Sequence, residues 1–171
     1  VGTPSTSGSD GTVDGKSGTI TVTTSNIDQI NFAINRLPNS YDEAEHIATA
    51  PVVGTLYPLT KTLRGSDPED NAGVEAVWNT NPLTITSLPT DGFELVYNGV
   101  VLALNDTIHS YDPALLQIRP TSATPLGTMT TTFNFASIDS AGFRDPSPAA
   151  YVVTFEFPLP VNLVSYNGFN Q

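Results

Sequence analysis

The sequence predicts an all-β sandwich, and three observations carry that expectation. Hydrophobic residues make up 39% of the chain but charged ones only 13%. Threonine, asparagine, serine, glycine and proline fill the difference, a mixture that favours strands and turns over helices. From Val52 onward, short β-branched or apolar runs are separated by recognisable turn chemistry. Two long runs then place aromatic side chains at alternate positions, the period of a strand with one buried face.

Taken in order, the opening "VGTPSTSGSDGTVDGKSG" is polar and glycine-rich and reads as an arm or irregular lead-in. "TITVTT" (19–24) and "INFAINRL" (30–37) follow as two strands. In the second, Ile30, Phe32 and Ile34 alternate with Asn31, Ala33 and Asn35; Ile27, Ile30, Ile34 and Leu37 also fit a helical stripe, but asparagine and β-branched residues favour the strand. Two strands alone bury too little apolar surface to offset their ordering entropy, so this hairpin needs a partner. "LPNSYDEAEHIATAP", bounded by prolines and carrying Asp42, Glu43 and Glu45, reads as a linker.

The strand-like runs after it are "LTITSL", "FELVY", "VVLAL", "LLQIRP", "TMTTTFNFASI" and "AYVVTFEF". Their spacing is that of a sandwich. Tyr97-Asn98-Gly99-Val100 is the clearest hairpin, because Asn-Gly accepts the positive φ that a type I′ turn needs at both central positions. Met129, Thr131, Phe133 and Phe135 share one face of their strand, as do Tyr151, Val153, Phe155 and Phe157, and the two sets are expected to meet in one core. Burying one such ring is worth roughly 1.5–3 kcal/mol, more than a surface ion pair supplies. "PLPVNLVSYNGFNQ" interrupts the ladder with proline and then offers one more apolar strand, which is a hazard unless paired.

Charge and cysteine content narrow the function. Six Lys and Arg against seventeen Asp and Glu leave a net charge of −11, which repels a phosphate backbone and excludes nucleic acid as an expected partner. There is no cysteine, hence neither a disulfide nor a thiolate metal site. No apolar run approaches the roughly 18 residues of a membrane helix, and no transmembrane segment is expected. The first residues lack the basic start and apolar centre of a signal peptide, so the chain reads as a mature or excised piece.

The motif order "GSDPED", "LTITSLPTDGFELVYNGVVLALNDTI", "TTTFNFASIDSAGFRDPSPAAYVVTF" resembles the cadherin-like, immunoglobulin-like tandem repeats of secreted and cell-surface proteins of the Bacteroidetes. The resemblance covers about Leu63 to Phe157. It implies an immunoglobulin-like (cadherin-like) β-sandwich with an N-terminal β-hairpin or arm and a C-terminal extra strand. The implied divisions are 1–48, an arm with strands closing a preceding repeat or serving for exchange; 49–158, the sandwich; and 159–171, a terminal strand or linker. It further implies an extracellular or cell-surface location on a bacterium, with neighbouring domains or identical subunits as partners. Glycoproteins of that group carry O-glycans at Asp-Ser/Thr-apolar triplets, which points to Thr107 and Ser140.

Three functions stay open. The first is a non-enzymatic structural or adhesive module, since no Gly-x-Ser-x-Gly elbow or phosphate loop occurs and the carboxylates Asp91 and Glu94 merely flank a turn. The second is a filament subunit assembled by strand exchange through Ile30, Phe32 and Ile34 or through Val161, Leu163, Val164 and Tyr166. The third is a carbohydrate-binding module recognising surface glycans, with Trp78 stacking on a sugar beside Tyr57 and Tyr97.

No cofactor is required, but calcium is a candidate. Asp67, Glu69 and Asp70 supply oxygens from one turn; the resemblance adds Asp139 and the linker acids Asp42, Glu43 and Glu45. The competing expectation is that Ser66 and Asp67 cap a turn ahead of Pro68. His46 and His109 sit in no metal-ligand spacing and are expected at the surface.

Overall fold

A computed structural model describes residues 35–90, 92–122 and 128–156. The described chain is all-β. Its strands are β1 (Asn39–Tyr41), β2 (Glu43–Ile47), β3 (Tyr57–Pro58), β4 (Arg64–Ser66), β5 (Ala76–Val77) and β6 (Leu83–Ser87). They continue as β7 (Phe93–Tyr97), β8 (Val100–Val101), β9 (Thr107–Ile108), β10 (Leu116–Pro120), β11 (Met129–Ser137) and β12 (Ala149–Phe155), with one 3-10 turn at Pro113–Leu115. No helix among the described residues is long and apolar enough to cross a membrane.

The strands form three sheets, ordered β2-β12-β11-β6-β9, β3-β10-β7-β8 and β1-β4-β5. The first two share one core. Phe93 of β7 stacks on Phe155 of β12 with ring centroids 5.3 Å apart, and Tyr57 meets Phe155 edge-on at 5.1 Å. Phe133 stacks on Tyr151 within the larger sheet at 4.9 Å. Phe133, Phe135, Tyr151, Val153 and Phe155 are all fully buried, so the alternation along both long strands points where the sequence predicts, with Phe157 outside the described residues. The Asn98-Gly99 turn also forms as expected, with φ of 50° and 78° and Tyr97 opposite Val100.

The third sheet closes one end. There Gly65 lies flat under the Trp78 indole; a Cβ at Gly65 would stand 2.6 Å from the ring and 2.5 Å from Ser137 Oγ. Only glycine fits this contact. A register shift between Asn134 and Phe135 lets the end of β11 turn toward this small sheet, which buries both Ala136 and Ser137.

Residues 39–47 depart from expectation. They form β1 and β2 where the sequence suggests a linker and an arm separate from the sandwich. β1 pairs antiparallel with β4, the chain bends at Asp42, and β2 then pairs parallel with β12, from Glu43 opposite Tyr151 to Ile47 opposite Phe155. The segment escapes an apolar-pattern reading because its inward positions are Ser40 and Glu45. "VVLAL" is also shorter than expected: β8 stops at Val101, since the Ala103 N–H turns to Asp106 Oδ2 at 2.7 Å and Asn105 takes a φ of 69°. Of the two segments proposed for strand exchange, 161–166 and most of 30–37, with Ile30, Phe32 and Ile34, lie outside the described residues; Asn35 to Leu37 are described and are not part of a strand.

The parallel β2–β12 pair fixes where the chain arrives and leaves. Asn35 to Asn39 stand beside the turns 66–74 and 139–147, here termed the head. Phe155 and Glu156 leave beside Ile47 at the opposite end, the tail.

Candidate functional site

The head concentrates the buried carboxylates. Asp67, Asp139 and Asp145 are each 0–3% exposed, and each holds backbone in place. Asp67 Oδ1 accepts from the Glu69 and Asp70 N–H groups at 2.8 and 2.9 Å, closing the turn ahead of which it stands. Its own N–H donates to Asn71 Oδ1 at 2.7 Å. Asp67 Oδ2 is buried without a hydrogen-bond partner. Burial therefore pushes the Asp67 carboxyl above its ordinary range, against the pull of the two N–H donors; the charges of Asp70 and Glu69 add to the rise.

Asp70 ties this turn to the next loop. Its Oδ1 accepts from Ser140 Oγ at 2.5 Å, and its Oδ2 from the Ser140 N–H at 2.8 Å and Asn81 Nδ2 at 2.7 Å. Asp139 Oδ1 accepts from the Phe143 N–H and Oδ2 from Asn35 Nδ2, both at 2.7 Å. Asp145 Oδ1 accepts from the Ser147 N–H at 2.7 Å, the mark of a local turn, and Oδ2 reaches the Ser40 N–H at 2.5 Å. Three loops and the incoming chain are thus sewn together by aspartates.

Of the residues expected to bind calcium, Asp67, Asp70 and Asp139 lie at the head, where each of their carboxylate oxygens except Asp67 Oδ2 accepts from an N–H or O–H donor, while Glu69 faces solvent. Among the described residues no group of three His, Asp or Glu side chains stands close enough to hold one ion. The supposed linker acids serve strands β1 and β2 instead. Asp42 Oδ1 accepts from the Ala150 N–H at 2.7 Å, Glu43 pairs with Arg64, and Glu45 is buried.

Glu45 is the feature the sequence hid. It projects from β2 toward the core, where Oε1 accepts from Thr60 N–H at 2.8 Å and Thr60 Oγ1 at 2.6 Å. Oε2 accepts from Tyr151 OH at 2.6 Å, with Lys61 N–H at 3.4 Å. Tyr151 OH also lies 3.0 Å from the Lys61 carbonyl, and Tyr111 OH accepts from the Leu63 N–H at 3.3 Å. Burial pushes the Tyr111 phenol up to about 12. Tyr151 is raised further, by burial first and then by its bond to Glu45 and that residue's charge.

The remaining candidates separate. Trp78 is 1% exposed and donates Nε1–H to the Pro82 carbonyl at 2.9 Å, so it is a core residue with no face for a sugar. Tyr57 and Tyr97 spend their hydroxyls on the Ala50 and Ser110 carbonyls. Thr107 is exposed on the edge strand β9; Ser140 is exposed too, with its hydroxyl on Asp70. His46 pairs with Glu156 at 2.8 Å, and His109 lines an open hollow of about 320 Å³ between Val100, Leu102 and Ile108. Glu94 pairs with Arg119.

No family model, curated protein or solved structure matches the chain.

Proposed function

We propose that the chain is a non-enzymatic structural or adhesive module of a bacterial extracellular or cell-surface protein, with an immunoglobulin-like, cadherin-like sandwich that joins its neighbours in series. One observation carries this: the chain arrives at the head, beside Asp139, and leaves at the tail, beside Ile47. A first strand that switches sheets and ends parallel to the last strand supports the immunoglobulin-like type, as does the motif order from Leu63 to Phe157. The partners are neighbouring domains or further copies of the same chain, placed at head and tail.

The filament alternative needs a long free sheet edge to accept a foreign strand. The described edges are poor acceptors: β1 has three residues, β5, β8 and β9 have two each, β3 ends in Pro58, and β2 carries Glu43, Glu45 and His46. Burial of Trp78 removes the main support for the carbohydrate alternative.

Two copies fused in tandem through their own flanking segments test the serial arrangement. Solution scattering is expected to show an elongated particle with a longest dimension well above that of one copy. A dimension matching a single copy, from domains folded back side by side, overturns it. Protease shaving of intact native cells is expected to release peptides of this chain; their retention inside shaved cells overturns the surface location.

A further inference from the structure

We propose that this sandwich is built to resist tension, with β2 and β12 acting as a shear clamp. The inference deepens the serial role above and takes its biological setting from it, while its physics rests on the β2–β12 pairing and the side chains that hold it.

A force applied along the chain pulls β2 toward the head and β12 toward the tail. The two strands run parallel and are paired over their whole common length, from Glu43 with Tyr151 to Ile47 with Phe155. Pulling therefore slides one strand along the other, and the ladder bonds between them are loaded together. Were the pair antiparallel, the same force would open them one at a time from a single end. Both ends of the ladder are closed: the Ala150 N–H donates to Asp42 Oδ1 at the head, and the Glu156 N–H to the Ile47 carbonyl at the tail.

Sliding β2 also has to move Glu45. The residue is 7% exposed in the middle of the strand, and its carboxylate is gripped by Thr60 and Tyr151. Any displacement along the strand takes a buried charge off its donors while it is still enclosed, the most unfavourable way to break such a contact. Upstream, Asn35 on Asp139 and Ser40 on Asp145 and Ser137 hold the incoming chain, so tension meets these side-chain pins before it reaches the ladder. An edge strand that merely completed a sheet would need neither the pins nor a buried carboxylate.

Forced unfolding is governed by the barrier along the pulled direction, whereas equilibrium stability has no direction. The native chain has no cysteine, so engineered thiols give unique handles for single-molecule pulling. The in-line geometry uses Leu37→Cys, at a residue 51% exposed, with Glu156→Cys at the exposed position just after β12. The peeling geometry uses Leu37→Cys with Pro148→Cys, both at the head; Ser147→Cys replaces the latter should it lower the melting midpoint.

With melting midpoints matched, the in-line unfolding force is expected to exceed the peeling force severalfold at equal loading rate. Equal forces in the two directions overturn the clamp while leaving the serial arrangement to the tandem scattering experiment. Glu45→Gln, pulled in line, is expected to lower the force; an unchanged force removes Glu45 from the clamp.

Discussion

The core between the two large sheets and the head with its switching strand are held by different physics. The core is aromatic and aliphatic: Phe93, Phe133, Phe135 and Phe155 interlock with Leu83, Ile85, Leu95 and Ile118, and non-directional burial does the holding. The head and the β2 edge are polar inside. Asp67, Asp139, Asp145 and Glu45 are buried there; Asp67 is held by its own turn, while Asp139, Asp145 and Glu45 each accept from a group far away in the chain, 106 residues for Glu45 and Tyr151. Apolar packing tolerates small adjustments of position, while a buried carboxylate demands its donors at one distance. The core therefore supplies stability, and the polar head supplies register for a strand that has almost no apolar side to place it.

The largest effect should come from the residue where the two regimes meet. Trp78 joins the core to the small sheet over Gly65, and Trp78→Ala is expected to lower the unfolding free energy by about 3–5 kcal/mol in urea titration. Gly65→Val presses on the same contact from the other side and is expected to destabilise by about 1–3 kcal/mol or more through overpacking. Wild-type stability in either variant would mean that the small sheet is not fastened to the core as described. Within the polar regime Glu45→Ala leaves the Thr60 N–H without its acceptor, while Tyr151 OH keeps the Lys61 carbonyl, so it should cost the ~1–3 kcal/mol of one buried orphaned donor. A loss confined to hydrogen-exchange protection of β2 would sharpen the comparison, showing that the edge opens without the core.

Alkaline pH gives a smaller and graded test of the same boundary. Both phenols titrate higher when folded than when unfolded, Tyr111 at about 12 and Tyr151 above that. Their contribution is complete below the unfolded value of ~10 and is lost as pH rises beyond it, because the unfolded chain then releases protons that the folded one keeps. Each phenol adds a slope of about 1.4 kcal/mol per pH unit in that window. Circular dichroism should therefore show cooperative unfolding above pH ~10 accompanied by a step in tyrosinate absorbance, and Tyr151→Phe should make the pH dependence shallower.

How far the fold can be read in the sequence follows the same division. Phe133 and Phe155 declare their strands because alternation is local, and Asn98-Gly99 declares its hairpin because the turn needs only its own backbone angles. Asp145 is half legible: its bond to the Ser147 N–H is ordinary Asx-turn chemistry, while its bond to Ser40, 105 residues away, has no local trace. β1 and β2 were hidden altogether, since a strand whose buried positions are Ser40 and Glu45 inverts the pattern by which buried strands are recognised. Glu43, Glu45 and Ile47 do alternate with Ala44 and His46, and that period was the one available signal. Trp78 is less legible for the opposite reason: a lone tryptophan near a strand start reads first as a plug at the sandwich edge, with a sugar platform as the rival reading.

The smallest expected effect is that of calcium. Both oxygens of Asp70 and both of Asp139 already accept hydrogen bonds, and Asp67 has only the buried Oδ2 to offer. Burial raises the Asp67 carboxyl above its ordinary range. An ion entering here would have to release Ser140 or Asn81, which fasten one loop of the head to another, Asn35, which fastens the incoming chain, or the Phe143 N–H, which closes the turn after Asp139. Whatever coordination supplied would be offset by the connections it undid. The melting midpoint should therefore stay the same in excess calcium and in chelator, because a ligand stabilises only in proportion to its preference for the folded state. A midpoint that rises with calcium would break the comparison: the head would then be an unfilled coordination shell whose missing oxygens come from outside the described residues, with its aspartates serving as ligands first and as pins second.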